Sequence, residues 1–312
     1  MTVIRTFTAN PAVDRTFHVE ELKLDVPLRP LARQELPGGK GINVARAVGC
    51  LRGRARCFGV VGGHAGRWFV DELSAEGLDH RFLVDESGSW QTRSTTVVTE
   101  DRHAMLVYDR GDLVPQQALL DAVEQCLTDL ERGDVLVLSG SLPEGDHQAA
   151  FVRLVVEARN LGAVIMVDSS GDGLRVALAN GVDMIKVDHE EAAEVTGCHD
   201  PAAAAIALLD GCDRAVVTVG ASGAMAVTRS RERFRVPTPQ VDARHPAGSG
   251  DAFAAALALG RTAGSGWAEA LRSAAAAGAA NTLVLGAGRL DRDTYDDLVA
   301  RTPLPSPLTI TD

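Results

Sequence analysis

The sequence predicts an α/β fold: a doubly wound, mainly parallel sheet flanked by helices. Three observations predict it. Short apolar runs rich in β-branched residues recur along the chain and read as buried strands. Longer stretches of helical composition lie between many of them. The two kinds of segment alternate over most of the 312 residues, and such alternation makes the strands parallel and puts helices on both faces.

In chain order the strands are TVIRTFT (2–8), ARCFGVV (55–61), DVLVLSG (134–140), AVIMVDS (163–169), DMIKV (183–187) and RAVVTVG (214–220). The helices are GINVARAVGCLRG (41–53), AGRWFVDELSAEG (65–77), PQQALLDAVEQCLTDLERG (115–133), HQAAFVRLVVEARNLG (147–162), PAAAAIALLDGC (201–212), DAFAAALALG (251–260) and the alanine-rich run around SAAAAGAAN. Two stretches break the rhythm. Residues 12–35 and 80–110 alternate apolar and polar residues without a helical period. They read as antiparallel strands of one small sheet, inserted in the α/β core and placed to cover a site. The tail TPLPSPLTITD is expected to be loose. No repeat, low-complexity linker or boundary divides the chain, so residues 1–312 are expected to form a single domain.

Apolar residues make up 46% of the chain and charged residues 23%, enough to bury a sizeable core. The net charge of −11 argues against nucleic acid or an anionic membrane as the main partner, though not against small anionic substrates. No apolar run reaches the roughly 18 residues that span a bilayer, and the N-terminus has no signal-like pattern, so a cytoplasmic location is expected. The five cysteines are scattered without C-x-x-C spacing and read as small buried hydrophobes. None of the eight histidines has metal-ligand spacing, and neither G-x-S-x-G nor H-E-x-x-H occurs.

Seven motifs fall at strand ends, at helix starts or in the small sheet. In LPGGKGINVARAV (36–48) three glycines surround Lys40 just before a helix, where backbone can approach a ligand and the helix start attracts anions. It is not a Walker A loop, and a glycine turn with a solvated lysine fits it equally well. In GSGDAF, Gly248, Ser249 and Gly250 offer N–H groups to an anion and Asp251 stands on the first helical turn. A flexible turn followed by a dipole-compatible acid is an equal reading, since an acid there gains roughly 0.3–1 kcal/mol. VVTVGASGA (216–224) is a strand and tight turn at the edge where open α/β sheets bind ligands. In IKVDHEEAAEVTG (185–197), Asp188 and Glu191 share a helix face and can hold magnesium through water, or simply cap the helix. TANPAVDRT with Asp14, LSGSLPEG (138–145) and QTRSTT with Arg93 are weak signals alone.

Their order is the discriminating fact. NPAVD, GGKGINVARA, SGSLP, the acid pair after IK, TVGASGA and GSGDAF resemble, in sequence, the PfkB or ribokinase-like sugar kinases over about residues 4–290. The pattern is most similar to the phosphosugar branch that holds 1-phosphofructokinase and tagatose-6-phosphate kinase. The resemblance implies a ribokinase-like fold with a β-sheet lid and an ATP-dependent kinase using Mg2+. Its implied acceptor is a ketohexose phosphate, first fructose 1-phosphate, with tagatose 6-phosphate and fructose 6-phosphate as alternatives. An unphosphorylated sugar or nucleoside and a non-catalytic sugar-phosphate sensor are the remaining readings.

It also implies roles for matched positions. Asp251 resembles the family's catalytic base, and Gly248, Ser249 and Gly250 its anion hole. Asp14, Gly39, Lys40 and Asn43 match sugar-binding positions, and Arg93 a ligand of the substrate phosphate. Lys186, Thr218, Gly220, Gly223 and Asn281 match the nucleotide side. Glu191, with Asp188 where relatives carry Asn, matches the magnesium side. His245 replaces an Asp or Asn that often helps bind a monovalent cation, which puts potassium activation in question. A homodimer through the lid is a further expectation.

Overall fold

A computed structural model describes residues 3–100, 103–143, 145 and 147–308. Thr2 of the first predicted strand, residues 101–102 of the second insertion, Glu144 of the SLPEG turn and the last four residues of the tail therefore lie outside the described residues.

The strands are β1 (Ile4–Thr8), β2 (Ala12–His18), β3 (Ala32–Gly38), β4 (Ala55–Gly62), β5 (Asp79–Asp85), β6 (Arg93–Thr99), β7 (Ala104–Tyr108), β8 (Val135–Ser139), β9 (Val164–Asp168), β10 (Val182–Asp188), β11 (Cys212–Thr218), β12 (Ala224–Thr228), β13 (Arg233–Val236) and β14 (Ser306–Pro307). The helices are α1 (Lys40–Cys50), α2 (Gly63–Ala75), α3 (Gln116–Leu127), α4 (Gln148–Asn160), α5 (Gly171–Asn180), α6 (His189–Thr196), α7 (Pro201–Leu208), α8 (Ser249–Thr262), α9 (Trp267–Asn281) and α10 (Arg292–Arg301).

The large sheet runs β14-β13-β12-β11-β10-β9-β8-β1-β4-β5. From β11 to β5 every neighbouring pair is parallel; β12, β13 and β14 add an antiparallel edge. β1, β8 and β9 are buried along their whole length, as expected of strands covered on both faces. One face packs against α3, α4 and α7 through Phe58, Leu136, Leu154 and Ile165, and the other against α1, α8 and α9 through Ile4, Val44, Val137 and Leu271. α8 and α9 are alanine-rich because they pack tightly: a Cβ on Gly260 would stand 2.8 Å from Ala270 Cβ.

The small sheet runs β3-β2-β6-β7. It corrects the expectation in two ways. Residues 79–85 are not in it: β5 lies parallel to β4 at the edge of the large sheet, because Phe82 packs under α2 against Phe69, 5.4 Å between ring centres. Its strands are also not all antiparallel, since β2 and β6 run in the same direction. The tail differs as well: Ser306 and Pro307 pair with Arg235 and Phe234. The helix expected to reach residue 133 stops at Leu127. Thr128 is extended, Asp129 has a positive φ of 59°, and the buried Arg5 guanidinium binds the carbonyls of Cys126, Thr128 and Asp129. The helix expected over 201–212 ends at Leu208, and Cys212 opens β11.

All five cysteines are free, and burial pushes the thiols of Cys57, Cys126 and Cys212 up to about 12, which leaves them inert. Among the described residues no helix is long and apolar enough to cross a membrane.

Candidate active site

Parallel strands put their carboxyl ends on one edge, and the motifs gather there. β1 leads into NPAVD, β8 into SGSLP, β9 ends at Asp168, β10 at Asp188 and β11 at Thr218. Asn10 Nδ2 reaches Ser141 Oγ (3.5 Å), and Ser169 Oγ donates to Gly140 O (2.7 Å), so neighbouring turns brace one another. The small sheet grows from the same edge: β2 starts four residues after β1, and β3 runs straight into the glycine turn before α1.

Five charged side chains form the centre. Lys40 Nζ, at the start of α1, lies 3.1 Å from Asp168 Oδ1 and 2.8 Å from Glu191 Oε1. Lys186 Nζ lies 2.8 Å from Asp168 Oδ2. Asp168 is fully buried; burial alone would push its carboxyl up, but Lys186 and then Lys40 outweigh it and hold the group below its ordinary value. Burial also works against the charge on Lys40, yet Asp168, Glu191 and Asp251 keep its ammonium above the usual range. Asp251 is the fifth member. Burial, then the Asp168 carboxylate, push its carboxyl up to about 7 against the pull of Lys40, Lys186 and the Asn43 amide, whose Nδ2 donates to Asp251 Oδ2 at 2.8 Å. A buried carboxyl poised near neutral pH suits a general base.

α8 begins beside this cluster. Gly248 is its N-cap in the left-handed region (φ 84°), and a Cβ there would stand 2.6 Å from Ala287 Cα, so glycine is required twice over. No described side chain caps the helix. Ser249 N donates to Pro246 O (3.2 Å), so of the N–H groups at the helix start those of Gly250 and Asp251 remain for an anion. A Cβ on Gly250 would stand 2.8 Å from Lys186 Nζ, which places that cation at the helix entrance. Asn281, fully buried at the end of α9, donates to Ala247 O (3.1 Å) and accepts from Gly288 N (3.0 Å). It braces the loop before Gly248 instead of facing outward. His245 is fixed through its backbone N–H to Thr282 O (2.9 Å).

On the small sheet Asp14 points at the glycine turn, where a Cβ on Gly38 would stand 2.0 Å from its Oδ2. Burial pushes the Asp14 carboxyl up to about 6, opposed by Arg46, Arg93 and a hydrogen bond from Thr95. Gly39 has φ 118°, and a side chain there would meet Thr8. Arg93 starts β6 opposite Ala12 of β2. Burial lowers its pKa, and Asp14, Asp109 and Tyr108 oppose that shift. Its guanidinium has only two long carbonyl contacts, to Asp109 and Asn10 (3.4 Å each), and its buried Nε has no partner among the described residues. Lys40 does not stand with Arg93; its ammonium belongs to the charge cluster.

Among the residues expected on the nucleotide side, Thr218 pairs in register with Asp188, and its Oγ1 donates to Val187 O (3.3 Å). Gly220 is exposed at the start of a short 3-10 turn. Gly223 has a backbone reason of its own: φ is 94° and a Cβ would stand 2.1 Å from Val236 O. Asp188 and Glu191 form a reciprocal cap on α6, in which Asp188 accepts from Glu190 N and Glu191 N while Glu191 accepts from Asp188 N. Among the described residues no group of three or more His, Cys, Asp or Glu side chains is arranged to hold a metal. The acids here do not fit an all-protein cage. They do fit magnesium that keeps its waters and arrives on phosphate oxygens.

One residue of this centre and one beside it escape sequence reasoning. Asp168 bridges both lysines; its only signal is an acid at the end of the apolar run AVIMVD, on the edge where ligands bind. Arg46 lies within GGKGINVARA and is buried, although helical spacing gives it no distinction from its neighbours.

Along 308 residues the chain is 29% identical to the ATP-dependent 6-phosphofructokinase isozyme 2 of Escherichia coli (strain K12), covering 96% of this chain and 99% of the relative. Solved structures of phosphofructokinase-2 from Escherichia coli match it too. The complex with potassium has a TM-score of 0.88 at 29% identity over 96% and 99% of the two chains. The complex with fructose-6-phosphate gives 0.87 at 28% over 97% and 99%, and the tetrameric inhibited form 0.87 at 28% over 96% and 99%. A Thermotoga maritima chain described as a possible 1-phosphofructokinase shares the fold, with a TM-score of 0.84 at 21% identity over 98% and 100%. The family model of the pfkB carbohydrate kinases matches residues 8–293, and the chain belongs to that family of ATP-dependent phosphotransferases with an alcohol group as acceptor.

Proposed function

We propose that the chain phosphorylates a ketohexose monophosphate with ATP, making fructose 1,6-bisphosphate. Fructose 6-phosphate is the first acceptor and fructose 1-phosphate the second; both give the same product. The sequence resemblance puts fructose 1-phosphate first; the full-length likeness to a 6-phosphofructokinase supports the order proposed here. Arg93 carries the phosphosugar reading: a guanidinium at the start of β6, half withdrawn from water, with an unpartnered Nε and weak carbonyl contacts. Such a group is suited to a phosphate, which takes two N–H bonds from a guanidinium at once.

In this reading Asp14 and Asn43 hold sugar hydroxyls, with Gly39 allowing close approach. Asp251 takes the proton from the acceptor hydroxyl, whose oxygen then attacks the γ-phosphorus as ADP leaves. Gly250 and Asp251 N–H groups, with Lys186 and Lys40, face the charge that spreads over the transferring oxygens. Thr218 and Gly220 flank the nucleotide phosphates, while Gly223 and Asn281 shape the loops around them. Asp188 and Glu191 would hold magnesium through water, and the ion would supply positive charge against the phosphates. The small sheet acts as the lid that excludes water from the transfer.

The lid also supports self-association. Met105, Leu106, Val107 and Tyr108 of the edge strand β7 are 42–65% exposed, an apolar row without cover in the single chain. We propose a homodimer through this edge; the Escherichia coli relative self-associates too, its inhibited form being tetrameric.

The test is turnover on fructose 6-phosphate, fructose 1-phosphate, tagatose 6-phosphate, fructose, ribose and adenosine. Activity on phosphorylated ketohexoses alone is expected. Turnover confined to neutral acceptors refutes the reading.

A further inference from the structure

We propose that Arg46 is a positioning residue for the phosphoryl transfer, fixing which end of the Asn43 carboxamide faces Asp251. The proposal rests on the reading of Asp251 as the base. Arg46 Nη1 donates to Asn43 Oδ1 at 2.9 Å, and Asn43 Nδ2 donates to Asp251 Oδ2 at 2.8 Å. A guanidinium only donates, so a turned amide would set two donor groups against each other. With Arg46 in place, Asn43 has one orientation and Asp251 always meets an N–H. That N–H favours the ionised carboxylate, the form that accepts the acceptor's proton. Without Arg46 the amide is free to turn its oxygen to Asp251, which favours the protonated acid.

The guanidinium is itself held fast. It is 6% exposed, and Nε and Nη2 bind Glu76 Oε2 and Oε1 at 2.8 and 3.0 Å. Nη2 also donates to Pro37 O (2.9 Å) and Nη1 to Ala287 O (3.1 Å). Pro37 precedes the glycine turn that Asp14 touches, and Ala287 packs against Gly248 at the anion hole. One side chain thus ties the sugar-side turn, the amide beside the base and the turn under α8. Arg289, 3.6 Å from Glu76, supports the same carboxylate.

Asp251 is faced by Lys40 of α1, Lys186 of β10 and Asp168 of β9, with Glu191 of α6 acting through Lys40. The charge on Arg46 also bears on Asp14. A test must therefore keep that charge and read the catalytic step rather than sugar binding. Arg46→Lys does so, because one ammonium cannot bond Asn43, Glu76, Pro37 and Ala287 together.

The experiment is the pH profile of kcat for Arg46→Lys and Glu76→Gln, at saturating ATP and whichever of fructose 6-phosphate or fructose 1-phosphate the parent uses. Arg46→Lys is expected to lower kcat at pH 7 about tenfold and to move the acid limb up by about one pH unit. Glu76→Gln, which loosens the guanidinium without touching Asn43, moves the limb the same way by less. Circular dichroism and ATP binding report whether each variant folds; if Arg46→Lys does not, Glu76→Gln decides. A folded variant with reduced kcat but an unmoved limb overturns the proposal. Asp251→Asn, run alongside, separates the two readings: if it keeps turnover the base assignment fails, and if it is dead while the limbs stay put only the role of Arg46 fails.

Discussion

At the carboxyl edge of the large sheet, Lys186, Asp168, Lys40 and Glu191 are joined by contacts of 2.8–3.1 Å, and beside them Asn43 bonds Asp251 at 2.8 Å. On the small sheet, Arg93 rests on two carbonyls at 3.4 Å, and four consecutive apolar side chains of β7 face water. The first region is complete as a single chain. The second has unused donors and uncovered apolar surface. Under the proposed function the difference follows from what each region does. Phosphoryl transfer gains from charges fixed before the reaction, whereas an acceptor site and a lid must take up a ligand and a neighbour that the chain alone lacks.

That contrast can be broken at several points. The largest effect belongs to Asp251→Asn, expected to lower kcat about 10³-fold while ATP binding persists, as read by a coupled assay and calorimetry. The parent's pH profile carries the same claim. The base must be ionised, its carboxyl is pushed up to about 7, and so kcat falls as pH drops through that value. A flat profile from pH 6 to 8 removes Asp251 from the base role.

Asp168→Asn comes next. It strips Lys186 and Lys40 of their shared carboxylate, and breaking such a buried pair costs about 3 kcal/mol, measurable by denaturant unfolding. It also moves the acid limb of kcat downward, because a carboxylate that raises Asp251 is gone while both lysines still lower it. An upward shift would contradict the cluster as described. On the lid, Arg93→Ala is expected to raise KM for the sugar phosphate about 30-fold with a smaller change in kcat, the loss of charge-assisted bonds to one phosphate. Equal KM values would free the phosphate from Arg93. Leu106→Glu should weaken the proposed dimer about tenfold in analytical ultracentrifugation and leave the monomer's melting temperature nearly unchanged. The smallest effect concerns the cation. His245 offers no carboxylate oxygen to a hard ion, so exchanging potassium for sodium is expected to leave kcat essentially unchanged. Strong potassium activation would show that backbone carbonyls suffice.

Much of the fold was legible because its signals are local. Buried strands such as Val135–Ser139 are continuous apolar runs, and Gly248 reads as a helix entrance from its neighbours. Residues 79–85 misled because their alternation suits a small sheet as well as an edge strand; Phe82 meeting Phe69 decided between them. Within the site, Asp251 stands out in its motif and Arg93 only weakly, while nothing local marks Asp168 or, inside GGKGINVARA, Arg46. Their partners lie 18 and 128 residues away for Asp168, and 30 and 241 for Arg46.

The sequence by itself determined the alternation of strands and helices, the glycine turns at Gly39 and Gly248, and the carboxylate on the first turn of α8. These depend on backbone freedom and periodicity, which act over a few residues. Only the tertiary structure decided that Lys40 meets Asp168 and Glu191, that Asn281 braces a loop, and that Asp251 is pushed up to about 7. Those outcomes depend on burial and on charges brought together from distant strands, and a carboxyl group's pKa is set by the charges and solvent it meets in space.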